Sequence, residues 1–198
     1  WLDRFCADGR CNETRVTEYG IGAGLLGEQM MKTYNLSHYD GIDISQKSLD
    51  AARARLLQHG CRAERFGLHN VSVDFASLAP KLFITQAVIQ HFPSLNYTFD
   101  FLDRVNRCGA QYLMLQTRNG KIEMDKETVG TRGGRWPEWR VRHATRVTTP
   151  QLEGALDKYL LEWHVVGGNA NIYYAFRRKR VPITAHRWRD RGDLRRTL

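Results

Sequence analysis

The chain has 198 residues, 42% of them hydrophobic and 26% charged, with a formal net charge of +9. That length holds one domain with a sizeable core and would cramp two, and no apolar run approaches the roughly 20 residues that a membrane-spanning helix needs. Most of the excess charge is terminal: from Arg177 to Leu198 nine Lys or Arg face only Asp190 and Asp193, a local net of +7, so 181–198 reads as a basic tail behind a domain at 1–180.

In chain order, Arg15 to Tyr19 (RVTEY) reads as a strand that runs straight into glycines. Leu25 to Tyr34 has helical spacing, with Leu26, Met30 and Met31 available to one face. Tyr39 to Ile44 is a second strand. Ser45 is placed to N-cap a helix through His59, where Leu49, Ala52, Leu56 and Leu57 form an apolar stripe that Gly60 ends. Val71 to Phe75 is read as a third strand and Leu82 to Ala87 as a buried fourth.

Tyr97 to Val105 reads as a helix and Gln111 to Thr117 as a strand. Residues 118–146 form a long charged, glycine-rich excursion, and Pro150 to Leu160 a helix. Glu162 to Val166 and Asn171 to Arg177 are strands joined by Gly167-Gly168-Asn169, which has hairpin chemistry. Strands alternating with helices and ending in a hairpin imply an α/β fold with a mostly parallel sheet and an antiparallel edge.

Cys6, Cys11, Cys61 and Cys108 lack C-x-x-C spacing and nearby paired histidines, which argues against a zinc site. They read as free thiols of a reducing, cytoplasmic setting. Four N-x-S/T sequons, at Asn12, Asn35, Asn70 and Asn96, exceed the roughly one expected by chance and hint at a secretory history, but so short a motif does not move the cytoplasmic reading.

The strongest chemical signal is Glu18-Tyr19-Gly20-Ile21-Gly22-Ala23-Gly24-Leu25-Leu26-Gly27. Glycines after a strand permit a tight turn and close approach of a ligand to the backbone, and the helix that follows aims free N–H groups at it. Gly22-x-Gly24-x-x-Gly27 also satisfies the dinucleotide fingerprint, and Asp43 would serve the ribose of either ligand. Three features favour a methyl donor: Glu18 ahead of the glycines, the run Gly41-Ile42-Asp43-Ile44-Ser45, and Gln86-Ala87-Val88-Ile89-Gln90-His91-Phe92 after the fourth strand.

On the blocks TEYGIGAGLLG, YDGIDISQKSLDAARARL and LFITQAVIQHF, the chain resembles the class I S-adenosylmethionine-dependent methyltransferases, over roughly residues 15 to 178. The resemblance implies a single Rossmann-like domain whose seven-stranded sheet has its last strand inserted antiparallel, with helices on both faces. It implies S-adenosylmethionine as cofactor. Glu18, Tyr19 and the loop of Gly20, Ile21, Gly22 and Gly24 would hold the methionine part, Asp43 the ribose, Ile44 one face of the adenine, and Gln86 the region beside the sulfonium. The adenine amino group falls to Asp74 or to the backbone near Gly67 and Leu68. Only about 15 residues precede the first strand, so a lid is short, missing, or supplied by 118–146.

His91 is the candidate base, needed only for an acceptor that must lose a proton. The excursion carries eight Lys or Arg against four acids. Within it Arg118, Arg140 and Arg142 suit a carboxylate or phosphate, Trp136 and Trp139 a flat ring, and His143 is a weaker base. A small anionic or aromatic metabolite is therefore the expected acceptor. A nucleic-acid or protein methyltransferase using the basic tail is the alternative, although no Asn-Pro-Pro-Tyr or Asp-Pro-Pro-Tyr stretch and no paired-glutamate hairpin occurs. A nicotinamide oxidoreductase would need a Tyr-x-x-x-Lys that is not recognisable here, and a non-catalytic relative that binds the donor is the fourth possibility.

Overall fold

The computed structural model describes residues 2–7, 9–118, 147–167 and 171–180. Its sheet is built outward from β1 (Arg15–Tyr19), which is buried on both faces as a central parallel strand must be. β2 (His38–Asp43) and β4 (Leu82–Thr85) flank it in parallel register, Glu18 standing opposite Gly41 and Ile84. β3 (Phe66–Asn70) extends the sheet beyond β2, and β5 (Tyr112–Arg118) beyond β4. β7 (Asn171–Arg178) pairs antiparallel with β5, and β6 (Tyr159–Val166) closes the edge against β7. The order is β3-β2-β1-β4-β5-β7-β6. The seven-stranded sheet with an antiparallel terminal hairpin is the one expected from the sequence.

Helices cover both faces because each presents one apolar stripe. A short α1 (Leu2–Cys6), α2 (Leu25–Thr33) and α3 (Gln46–Gln58) pack Phe5, Met30, Leu49 and Leu56 against Val16, Tyr39 and Ile84. On the other face α4 (Leu95–Arg107) and α5 (Thr149–Ala155) pack Phe101, Leu102, Val105 and Leu152 against Phe83, Leu113 and Tyr174. The helix starts follow the usual chemistry. Ser45 accepts from Ser48 N at 3.2 Å and Ser94 from Tyr97 N at 3.1 Å, while Thr148 and Gln151 form a capping box. Among the described residues no helix is long and apolar enough to cross a membrane, and no group of three or more His, Cys, Asp or Glu is placed to hold a metal ion.

Three expectations are corrected. The third strand is Phe66–Asn70, not Val71 to Phe75. The alternating VSVDF run lies in the connection that returns across the sheet, burying Phe75 and Leu78. The helix expected at Pro150 to Leu160 ends at Ala155, and Tyr159 and Leu160 instead open β6, pairing with Arg178 and Arg177. Tyr159 is held there by its hydroxyl, which donates to Ala110 O at 2.9 Å. Finally, Cys6 and Cys11 are not free thiols: they form a disulfide with Cα atoms 5.1 Å apart, leaving Cys61 and Cys108 free.

Candidate functional site

The turn that ends β1 requires backbone angles that side chains resist. Gly20, Gly22 and Gly24 have φ of +83°, +53° and +78°, the left-handed region. The turn is tied to the end of β2, since Gly20 N and Ile21 N both donate to Ile42 O, at 2.7 and 3.1 Å. Gly24 N donates to Ile21 O at 3.0 Å, and Gly24 N-caps α2 without any side-chain hydrogen bond to the first turn. A Cβ on Gly22 would meet nothing within 4 Å among the described residues. The loop thus offers bare backbone and uncapped N–H groups to open space at the carboxyl ends of the strands, beside the β1/β4 switch point where ligands of such sheets bind.

Asp43 ends β2 against this loop. Its Oδ2 accepts from Gly22 N and its Oδ1 from Ser45 N, both at 2.9 Å. A carboxylate accepts about four hydrogen bonds, so each oxygen keeps capacity for a further donor such as a sugar hydroxyl. The next residue, Ile44, is 74% exposed. An apolar side chain standing open at a polar turn is a surface suited to one face of a flat ring.

Glu18 lies beneath the loop and is only 4% exposed. Its carboxyl accepts a short hydrogen bond from the Tyr39 hydroxyl, a partner that sequence reasoning missed. The legible signal was Gly27. A Cβ on this helical glycine would come within 2.6 Å of the Tyr39 hydroxyl, which explains a glycine where alanine is the better helix former. Burial raises the Glu18 pKa to about 8, with the Tyr39 hydrogen bond opposing and the nearby Asp43 charge adding to the rise. Glu18 is thus mostly neutral at pH 7, and an ammonium group brought close would favour its ionised form.

The folded chain holds a proton on Glu18 that the unfolded chain, at 4.5, has released, so stability is lost as pH rises from about 4.5 to 8. Urea unfolding of wild type and Glu18→Gln at pH 5 and pH 9 should show the wild type losing on the order of a few kcal/mol relative to the variant. Parallel pH dependence in the two proteins would contradict the raised pKa.

At the end of β4 the Thr85 hydroxyl is buried and has no partner among the described residues. Gln86 follows, half-buried. Ala87 then takes φ +57°, a left-handed residue that the sequence did not announce. This elbow sets Val88 against Gly20, where a Cβ would lie 2.1 Å from Val88 Cγ2. His91 is exposed at the end of a 3₁₀ turn, Ile89–His91. Its Nε2 lies 3.3 Å from Gln90 Nε2, while the other amide atom, Gln90 Oε1, is buried without a partner among the described residues. With the amide nitrogen donating, the Nε2 lone pair is engaged. Turning the amide over would let Nε2–H donate to Oε1 and leave Nδ1 as the basic nitrogen.

The other anticipated residues are placed as follows. The Tyr19 ring belongs to the core, packed against Phe75, Phe92 and Phe101. Ile21 is buried, and its side chain and that of Leu68 both lie over Gly41. The strand-end neighbour of Asp43 is Asn70, which was not anticipated. Asp74 follows four residues later, exposed, and accepts from Ala76 N at 3.2 Å as a turn residue. It lines a separate cavity of about 610 Å³ with Val71, Val73, Arg104 and Arg107. There the Arg104 guanidinium is committed to Val71 O and Val73 O and lies 3.9 Å from the centre of the Phe75 ring. That cavity is not the glycine-loop site. Arg118 closes β5 opposite Asn171, but its side chain lies outside the described residues, as do Trp136, Trp139, Arg140, Arg142 and His143.

No protein-family model matches the chain. No curated protein matches its sequence. Solved structures do match. The chain is similar to magnesium protoporphyrin IX methyltransferase from Synechocystis with bound SAH, at 16% identity and a TM-score of 0.71, over 90% of this chain and 80% of that one. It is similar to the methyltransferase domain of a bacterial Hen1, at 15% identity and a TM-score of 0.64, over 89% and 95%. A third match is an S-adenosylmethionine-dependent methyltransferase from Mesorhizobium loti, at 15% identity and a TM-score of 0.61, over 85% and 93%.

Proposed function

From a chain with the class I, Rossmann-like methyltransferase fold, we propose an S-adenosylmethionine-dependent methyltransferase. The observation that carries this is the open glycine loop hydrogen-bonded to Asp43, with Ile44 exposed beside it. The residues fit the cofactor. The Gly20–Gly24 backbone and the uncapped start of α2 suit its carboxylate, and Glu18 beneath the loop suits its ammonium group. Asp43 suits the two ribose hydroxyls, and Ile44 one face of the adenine. Asn70, beside Asp43 at the strand end, is better placed than Asp74 to meet the adenine edge.

When bound, S-adenosylmethionine supplies a methyl group already activated on a sulfonium. The chain's own work is then alignment and exclusion of water. The elbow of Gln86 and Ala87 would border the methyl-bearing end, and His91 beyond it would take a proton from an acceptor hydroxyl or amine. The proposed acceptor is a small anionic or aromatic metabolite, on the strength of the Arg- and Trp-bearing stretch 118–146. The basic C-terminal stretch, net +7 from Arg177 to Leu198, favours a nucleic-acid acceptor as the second reading. The similar structures include methyltransferases named for a porphyrin and, in Hen1, for small RNA.

Calorimetric titration with S-adenosylmethionine and, separately, NADH tests the cofactor. Micromolar binding of the methyl donor and none of NADH is expected. NADH binding alone, or binding of neither, would overturn the proposal. A steep salt dependence of affinity for RNA would shift the acceptor to nucleic acid.

A further inference from the structure

Four of the eight asparagines begin a sequon: Asn12-Glu13-Thr14, Asn35-Leu36-Ser37, Asn70-Val71-Ser72 and Asn96-Tyr97-Thr98. All four asparagines are exposed. Independently, Cys6 and Cys11 are joined in a disulfide that ends one residue before the first of them. Structural disulfides persist in oxidising compartments such as the secretory lumen and are rare where thiol buffers keep cysteines reduced. Those compartments are also where sequons are read. Two unrelated features, a covalent bond in the folded chain and a surplus of exposed acceptor sites, therefore point to the same setting.

The fold separates the four sites into two pairs. Asn12 lies just before β1 and Asn35 just before β2, at the amino ends of parallel strands. Their turns adjoin, since Glu13 N donates to Asn35 O at 2.7 Å. The glycine loop and Asp43 stand at the opposite, carboxyl ends of the same two strands. Asn70 by contrast is paired with Asp43 itself, and Asn96 lies in the first turn of α4, just beyond the elbow. A bulky substituent on the first pair leaves the cofactor loop clear, whereas one on the second pair stands on the functional side.

We propose that this chain matures in an oxidising secretory compartment and carries N-linked glycan on the Asn12–Asn35 edge of its sheet. In that transfer the asparagine Nδ2 bonds to the anomeric carbon of a lipid-linked oligosaccharide. The bond from that carbon to the lipid pyrophosphate breaks, the pyrophosphate departs with the electron pair, and Nδ2 gives up one proton. Thr14 and Ser37 provide the hydroxyl that each sequon requires.

The test is made on protein recovered from its own cells with an antibody to the chain. It combines peptide mapping after enzymatic release of N-glycans with thiol alkylation before and after reduction. Conversion of Asn12 or Asn35 to aspartate on glycan release, with Cys6 and Cys11 alkylated only after reduction, is the expected result. A mass equal to the bare polypeptide, Cys6 and Cys11 reactive without reduction, or glycan confined to Asn70 and Asn96 would each overturn the proposal. In the same cells Asn12→Gln and Asn35→Gln should remove the corresponding gel shift, with binding of S-adenosylmethionine unchanged.

Discussion

Replacing Asp43 by alanine is expected to weaken binding of S-adenosylmethionine by a factor of about 100 to 10,000. Hydrogen bonds to a charged group contribute about 1.5–3 kcal/mol each, and two ribose hydroxyls would lose their acceptor together. The same change strands Gly22 N and Ser45 N, which donate to the two carboxylate oxygens, so the loop loses its tie to α3 as well as its ligand contact. Asp43→Asn separates these effects. Its single carbonyl oxygen keeps one backbone bond and the shape of the side chain, while the charge is gone. Calorimetry with both variants, alongside their urea unfolding, gives the answer. An alanine variant that binds within threefold of wild type would remove Asp43 from the site.

Gly20→Ala is expected to destabilise the chain by about 2–5 kcal/mol. Two separate causes act. An L-residue held at φ +83° costs about 1–2 kcal/mol, and the new methyl would sit 2.1 Å from Val88 Cγ2, an overlap of the kind that costs about 1–3 kcal/mol in a packed interior. Val88 cannot easily yield, because β-branched side chains are stiff at χ1 and Ala87 already holds the elbow at φ +57°. Pairing the change with Val88→Ala should restore the packing part and leave the backbone part, a non-additivity that a double-mutant cycle in urea resolves. Strict additivity would mean that the elbow does not touch the loop.

The β1–glycine–α2 and β2–α3 units were legible because their signals are local. Apolar strand residues lead directly into Gly20, Gly22 and Gly24, and Ser45 caps a stripe at helical spacing. The third strand was not legible, because Gly67 and Asn70 are poor strand formers by composition. They form β3 through pairing with β2, and His69 Nε2 finds a partner in the buried Asp40, 2.8 Å away. The adjacent VSVDF run shows better alternation yet pairs with no strand among the described residues. Tyr159 and Leu160 misled in the same way, as their spacing continues a helix while β7 offers them a strand partner.

The candidate site divides along the same line. Which residues are candidates for the chemistry, the glycines, Glu18 and Asp43, was legible in the sequence alone, because a tight turn and a strand-end carboxylate are demands on single residue types at short spacing. How those residues stand was decided only by the tertiary structure. Tyr39 buries and partners Glu18, Val88 closes on Gly20, and Asn70 rather than Asp74 reaches the strand end beside Asp43. Each of these depends on which strands pair, in which register, and on what packs across the sheet, and those contacts are settled by burial and hydrogen bonding between segments distant in the chain.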